Sequence, residues 1–62
     1  MTLANLRNQN KMTQENLAKI VGISRVYLSN LEKRKYNPTV DIVIKLAKAL
    51  NVTEQVIIDC FK

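Results

Sequence analysis

Apolar side chains recur along this chain at helical spacing, in five stretches separated by polar or conformationally special residues. Leu3 and Leu6 stand three apart ahead of the polar run Asn8-Gln9-Asn10-Lys11, which predicts a short helix over about residues 2–9 with Met12 folding back as an apolar plug. Thr13 can cap a second helix, its hydroxyl accepting from an orphan N–H and Glu15 sitting favourably beside the positive helix end. Leu17, Ala18 and Val21 form that helix's inner face, Ile20 borders it, and Gly22 supplies the positive φ that ends it. Only Ile23 separates Gly22 from the next capping residue, Ser24, so the turn into a third helix is tight.

The third helix runs from Arg25 to about Lys33, with Leu28 and Leu31 inward. Pro38 disfavours the helical state at Asn37, and Thr39 can cap a fourth helix. Residues 40–50 begin with a β-branched run that could pass for a strand. The spacing of Val40, Val43, Ala47 and Leu50, with Ile44 and Leu46 beside them and Ala-Lys-Ala-Leu at the end, predicts a helix instead. Asn51 can stop it, Val52 packs inward, and Thr53 before Glu54 opens a last helix to about Cys60. Val56, Ile57, Ile58, Cys60 and Phe61 are too many apolar side chains for the inside of so small a bundle, so part of that surface is expected to be covered by something else.

The outer side of the third helix changes the picture. An ordinary solvated face carries Lys and Glu, whereas Arg25, Val26, Tyr27, Ser29, Asn30 and Lys33 offer a Val and a Tyr among amides, hydroxyls and cations. The cluster Lys33-Arg34-Lys35 follows at once. With 62 residues, 47% of them hydrophobic, the expectation is one domain over 1–62 whose core needs neither metal nor disulfide. Cys60 is the single Cys, no signal peptide is recognisable and no apolar run nears the ~18 residues of a membrane span, which points to a protein of a reducing cytoplasm with no membrane partner. The chain has no His and one Gly, which excludes zinc clusters, Cys-His catalysis and Gly-rich phosphate loops, and its five acidic residues show no pairing typical of an acid/base dyad. An enzyme is therefore not expected, and neither a metal nor a cofactor is. The net charge of +5 fits an anionic partner.

Two helices joined through Gly22, with small Ala18 allowing close approach, describe a helix-turn-helix over residues 14–33. The stretch Met-Thr-Gln-Glu-Asn-Leu-Ala-Lys-Ile-Val-Gly-Ile-Ser-Arg (12–25), followed by Leu28, Leu31-Glu32, Asn37-Pro38 and Leu46-Ala47-Lys48-Ala49-Leu50, closely resembles the phage repressor/Cro-like helix-turn-helix family, often called the XRE family. The likeness covers about residues 3–58. It implies an all-α fold, a compact five-helix lambda-repressor-like DNA-binding domain with helices two and three as the helix-turn-helix. It also implies a sequence-specific regulator of transcription, a repressor in the leading reading, that places helix three in the major groove of double-stranded DNA.

Carried onto this chain, the resemblance gives each residue a role with a physical reason. Thr13 and Gln14 begin helix two against the backbone, where an amide and a free terminal N–H suit a phosphate oxygen. Ser24 caps helix three and can also donate to phosphate. Arg25 matches guanine O6 and N7 or clamps a phosphate, Asn30 can pair with adenine N6 and N7, and Val26 can pack on a thymine methyl. The Tyr27 hydroxyl can reach phosphate, with cover for the core as the other reading. Ser29 and Lys33 lie at the groove's edge, and Lys33-Arg34-Lys35 follow the sugar-phosphate wall or form a solvated charge run. Arg7 and Glu32 correspond to a family ion pair tying helix one to the end of helix three. Family members often carry Gly where this chain has Lys11 and Arg34, so these two turns are expected to use Asn10 or a left-handed non-Gly residue.

A homodimer on a palindrome is expected, because two copies read half-sites about one helical turn apart, near 34 Å. Val56, Ile57, Ile58 and Phe61, with Ile42 or Ile44 as neighbours, are the expected seam. No small-molecule ligand is expected. The alternatives are a protein-interaction module, such as an antitoxin or adaptor on the same fold, and an RNA binder. An adaptor has no need of Arg25, Asn30 and three consecutive cations. An RNA binder lacks a stacking platform, since Tyr27, Tyr36 and Phe61 are the only rings.

Overall fold

A Ser or Thr stands at the start of every helix, and a left-handed residue follows the end of four of them. The computed structural model describes residues 2–62. Over those residues α1 spans Leu3–Gln9, α2 Gln14–Val21, α3 Arg25–Glu32, α4 Val40–Leu50 and α5 Glu54–Asp59, with no strand. The side-chain oxygens of Thr2, Thr13, Ser24 and Thr39 accept from the N–H groups of Asn5, Asn16, Tyr27 and Ile42 at 3.0–3.3 Å, each satisfying one orphan donor. Thr53 has the same extended backbone before α5 but makes no such bond. An apolar residue precedes each of the caps of α2 to α5 and another lies five positions further on: Met12 and Leu17, Ile23 and Leu28, Pro38 and Val43, Val52 and Ile57. That is the spacing at which a hydrophobic staple fixes the angle of chain entry.

The ends of α1 to α4 share one device. Met12, Ile23, Lys35 and Val52 donate to the carbonyls of Arg7, Ala18, Asn30 and Ala47 at 3.0–3.2 Å, closing each helix around a residue of positive φ. Those residues are Lys11 at φ 57°, Gly22 at 85°, Arg34 at 62° and Asn51 at 57°. Gly22 adopts this conformation freely and Asn51 tolerates it. Lys11 and Arg34 carry a Cβ there, at a cost of about 1 kcal/mol each. The two turns that lack the family's Gly thus use the left-handed Lys11 and Arg34 themselves, while Asn10 keeps a negative φ of −88°.

One core joins all five helices. Leu17, Leu28, Leu31, Leu46, Leu50 and Ile57 are fully buried, and Leu3, Leu6, Ala18, Val21, Val43, Ala47 and Cys60 complete the cluster. Each large aliphatic side chain taken wholly out of water contributes roughly 1.5–3 kcal/mol. Helix α2 packs against α3 and α4, and α4 against α5, so the helix-turn-helix rests on the two C-terminal helices. Burial pushes the Cys60 thiol above its ordinary pKa, which keeps it protonated and inert.

Two expectations are corrected. Val40 is 75% exposed: the inner stripe of α4 is Val43, Leu46, Ala47 and Leu50, and the first residue of the helix projects past the core. Ile57 is fully buried, so it offers nothing to a seam between subunits. A helix of six residues can turn only a narrow stripe inward, and Ile57 with Cys60, three positions on, fills it. Val56 and Phe61 flank that stripe half-buried, and Ile58 faces outward, 42% exposed.

Candidate nucleic-acid interface

The tight turn Gly22-Ile23-Ser24 sets α3 directly after α2, and burial of Leu28 and Leu31 fixes which side of α3 looks outward. Arg25 and Val26 are exposed, Val26 by 65%, and Ser29 and Asn30 follow one turn later, half-exposed. Lys33 continues the same face past the helix end. Among the described residues the side chains of Arg25, Ser29, Asn30 and Lys33 make no hydrogen bond or ion pair within the chain, so their donors and acceptors remain open to a partner. Tyr27 behaves differently. Its ring packs against the core and stacks on Tyr36, centroids 6.1 Å apart at 28°, which supports both a covering role and a hydroxyl held at the edge of the face.

The starts of α2 and α3 converge. Arg7, Asn8, Met12, Thr13, Gln14, Glu15 and Arg25 line one open cleft, and Arg7 and Gln14 of that lining belong to an ion-pair network. Arg7 Nε donates to Glu32 Oε2 at 2.7 Å and its Nη2 to Oε1 at 3.4 Å, while Nη1 donates to the Met12 carbonyl at 2.8 Å. The Gln14 amide nitrogen donates to the same Glu32 Oε1 at 2.9 Å. The side chains of Arg7 and Glu32 are only 14% and 7% exposed. Four chain segments are thereby tied together: α1, the turn at Met12, the first residue of α2 and the last of α3.

This network redirects Gln14. Its amide, expected to meet phosphate, holds Glu32, and the free group at the start of α2 is the backbone. The Thr13 hydroxyl takes the N–H of Asn16, which leaves the N–H groups of Gln14 and Glu15 unpaired among the described residues. An anion at this helix end meets those N–H groups and the positive dipole, and it also meets the Glu15 carboxylate on the cleft's wall, which opposes it. No spacing signal could have revealed Gln14 as Glu32's third donor, because the residues lie 18 apart and meet only through the turn.

The cation cluster divides. Lys33 and Lys35 are exposed beyond α3, but the Arg34 guanidinium turns away and donates to the backbone carbonyl of Lys62, tying the α3–α4 connection to the C-terminal end. Arg34 therefore does not line up with its neighbours along a phosphate wall. On that side Ile58 and Phe61, two residues of the expected seam, border an apolar groove with Asn37, Pro38, Val43 and Lys62.

Comparison with known proteins gives the frame a family. A profile described as helix-turn-helix matches residues 3–57. The chain is 45% identical over 47 residues to the control protein C.SmaI of Serratia marcescens, covering 76% of this chain and 56% of that protein. It is 34% identical over 53 residues to the immunity repressor protein of Bacillus phage phi105, covering 86% of this chain and 37% of the repressor. The chain thus spans about half or less of these two relatives' length. Among solved structures, the restriction-modification controller protein C.AhdI of Aeromonas hydrophila superposes with a TM-score of 0.83 at 31% identity, over 89% of this chain and 83% of that one. With its tight α2–α3 unit resting on α4 and α5, and a family match that runs through α2, α3 and α4 and into α5, the chain belongs to the XRE-type helix-turn-helix family of transcriptional regulators.

Proposed function

We propose that this chain binds double-stranded DNA sequence-specifically and regulates transcription, as a repressor, with α3 lying in the major groove. The observation that carries the reading is the outer face of α3, where Arg25, Val26, Ser29 and Asn30 stand together with no side-chain hydrogen bond or ion pair among the described residues. The Arg25 fork suits guanine O6 and N7, the Asn30 amide suits adenine N6 and N7, and Val26 suits a thymine methyl. Ser24, Tyr27, Lys33 and Lys35, with the unpaired N–H groups after Thr13, supply the positioning contacts to phosphate. A +5 chain of 62 residues gains affinity by releasing counterions from the duplex.

Two copies acting on a palindrome complete the proposal. Ile58 is the exposed apolar side chain of α5, beside a groove formed with Pro38, Val43 and Phe61, and this surface is the proposed seam. Selection of bound sequences from a random duplex pool tests the whole reading: a single palindromic motif with half-sites about one helical turn apart is expected. Within that motif Asn30→Ala should lose about 1 to 3 kcal/mol and flatten preference at one base pair per half-site, while Lys35→Ala weakens all duplexes alike. Recovery of no motif, with equal affinity for every duplex at physiological salt, refutes it and favours a protein-interaction module on the same fold.

A further inference from the structure

Of the four residues held in the left-handed region, Gly22 and Asn51 are types that accept it, whereas Lys11 and Arg34 are long cations held against the preference of their backbone. Arg34 has a partner that explains its place, the carbonyl of Lys62. Lys11 has none: among the described residues its ammonium meets neither carboxylate nor carbonyl, and its side chain is exposed. A cation beyond a helix C-terminus interacts favourably with the dipole, but Arg7 already occupies the last turn of α1. The bonds that close α1, from the Lys11 N–H to the Asn8 carbonyl at 3.0 Å and from the Met12 N–H to the Arg7 carbonyl at 3.2 Å, offset the strain of the backbone, but among the described residues the Lys11 side chain adds nothing to them.

Its position supplies a use. Lys11 stands three residues ahead of Gln14, and the intervening Met12 is pinned by its backbone N–H to the Arg7 carbonyl at 3.2 Å and by its own carbonyl to Arg7 Nη1 at 2.8 Å. The Cα of Lys11 is thus fixed within about 11 Å of the α2 start, measured by maximum chain extension. Its flexible stem lets the ammonium approach the rim of the cleft that Thr13, Gln14 and Arg25 share. We propose that Lys11 is a further phosphate contact of this chain, a cation placed by a strained turn beside the backbone N–H groups of α2. The inference rests on the DNA-binding reading above. It adds a contact on the α1–α2 turn to those assigned to α2 and α3, and its charge opposes that of the Glu15 carboxylate on the neighbouring cleft wall.

The test compares Lys11→Gly with the parent chain in two measurements. Glycine relieves the backbone, so the melting temperature should rise by a few degrees. It removes the cation, so affinity for every duplex should fall about 3- to 10-fold near 0.1 M salt, and the slope of log K against log salt should shallow by about 0.9 per chain. Lys11→Arg restores that slope. Lys48→Ala, which removes another exposed cation, from the C-terminal half of α4, leaves the slope of the parent in place. A Lys11→Gly chain that melts higher yet keeps the parent slope overturns the proposal, as does an equal loss of slope in Lys48→Ala, which makes the effect one of net charge. A parent chain that binds no duplex at all overturns the DNA-binding reading as well, which keeps the two failures distinct.

Discussion

Removing Glu32 is the most severe single change that the structure predicts outside the aliphatic core. Its carboxylate receives three donors: Arg7 Nε at 2.7 Å, Arg7 Nη2 at 3.4 Å and the Gln14 amide at 2.9 Å. With the pair's side chains 14% and 7% exposed, water cannot readily replace it. Glu32→Ala strands a guanidinium and an amide at once. Breaking a buried pair from one side costs about 3–5 kcal/mol, and the remaining exposure together with the Met12 carbonyl, which still holds Nη1, puts this case at the lower end, about 3 kcal/mol. A chain of this size has a total stability of only about 3–9 kcal/mol. The variant is therefore expected to melt some 12–24 °C lower, close to unfolding at room temperature.

Urea titration followed by helical circular dichroism measures the loss, and the cycle of Arg7→Ala, Glu32→Ala and the double variant isolates the coupling. The double variant should be no worse than Glu32→Ala alone, since the cation that Glu32 strands is then absent. Gln14→Ala should cost about 1 kcal/mol, because it removes one neutral donor and leaves the carboxylate its two bonds to Arg7. A coupling below about 0.5 kcal/mol would place the pair in the class of exposed bridges and refute the shielding on which the figure rests.

Gly22→Ala should cost about 1 kcal/mol in the same titration: a Cβ there meets nothing within 4 Å, so the penalty is that of φ 85° alone, and Gly22→Asn should cost less; a loss above about 3 kcal/mol would mean steric conflict instead. Ile58→Glu should leave the fold helical yet lower both self-association in sedimentation and cooperative binding to a palindrome; a variant that assembles like its parent moves the seam elsewhere. Asp59 has a pKa below the ordinary carboxylate value, held down by the Gln55 amide and by Lys62, so its contribution is present above the unfolded-state pKa and disappears as pH falls through the lower folded-state value. Asp59→Asn should accordingly flatten the acid limb of the stability profile, and an unchanged limb would show that the Gln55 contact does not form in solution.

What the sequence discloses depends on the range over which the physics acts. Thr13, Ser24, Gly22 and Asn51 act on neighbours three to five residues away, so caps and turns can be read from the string, and the boundaries of α2 and α4 coincide with them. A stripe needs length to declare its direction. In α4, eleven residues show which side is inward, but the extrapolation one turn back to Val40 fails because the core ends first. In α5, six residues with Val56, Ile57 and Ile58 in succession carry no usable period, and only the packing of α4 against α5 decides that Ile57 goes in and Ile58 out.

Pairings across the fold are the least legible. Nothing in the spacing of Arg7, Gln14 and Glu32 says that they meet; the Arg7–Glu32 pair comes from the family resemblance, and the third member comes from neither source. Yet that third member changes the chemistry at the start of α2. A Gln14 amide free to swing toward a phosphate would make contact through a side chain with rotamer freedom to lose. Held on Glu32, it instead anchors the first turn of α2, and the groups left for an anion are backbone N–H donors whose direction is set by the helix itself. Because Glu32 is also the last residue of α3, the carboxylate that orients those donors fixes, in the same step, the helix whose outer face carries Arg25 and Asn30. The angle between the proposed phosphate contacts and the proposed base contacts is therefore set by one side chain that itself touches neither.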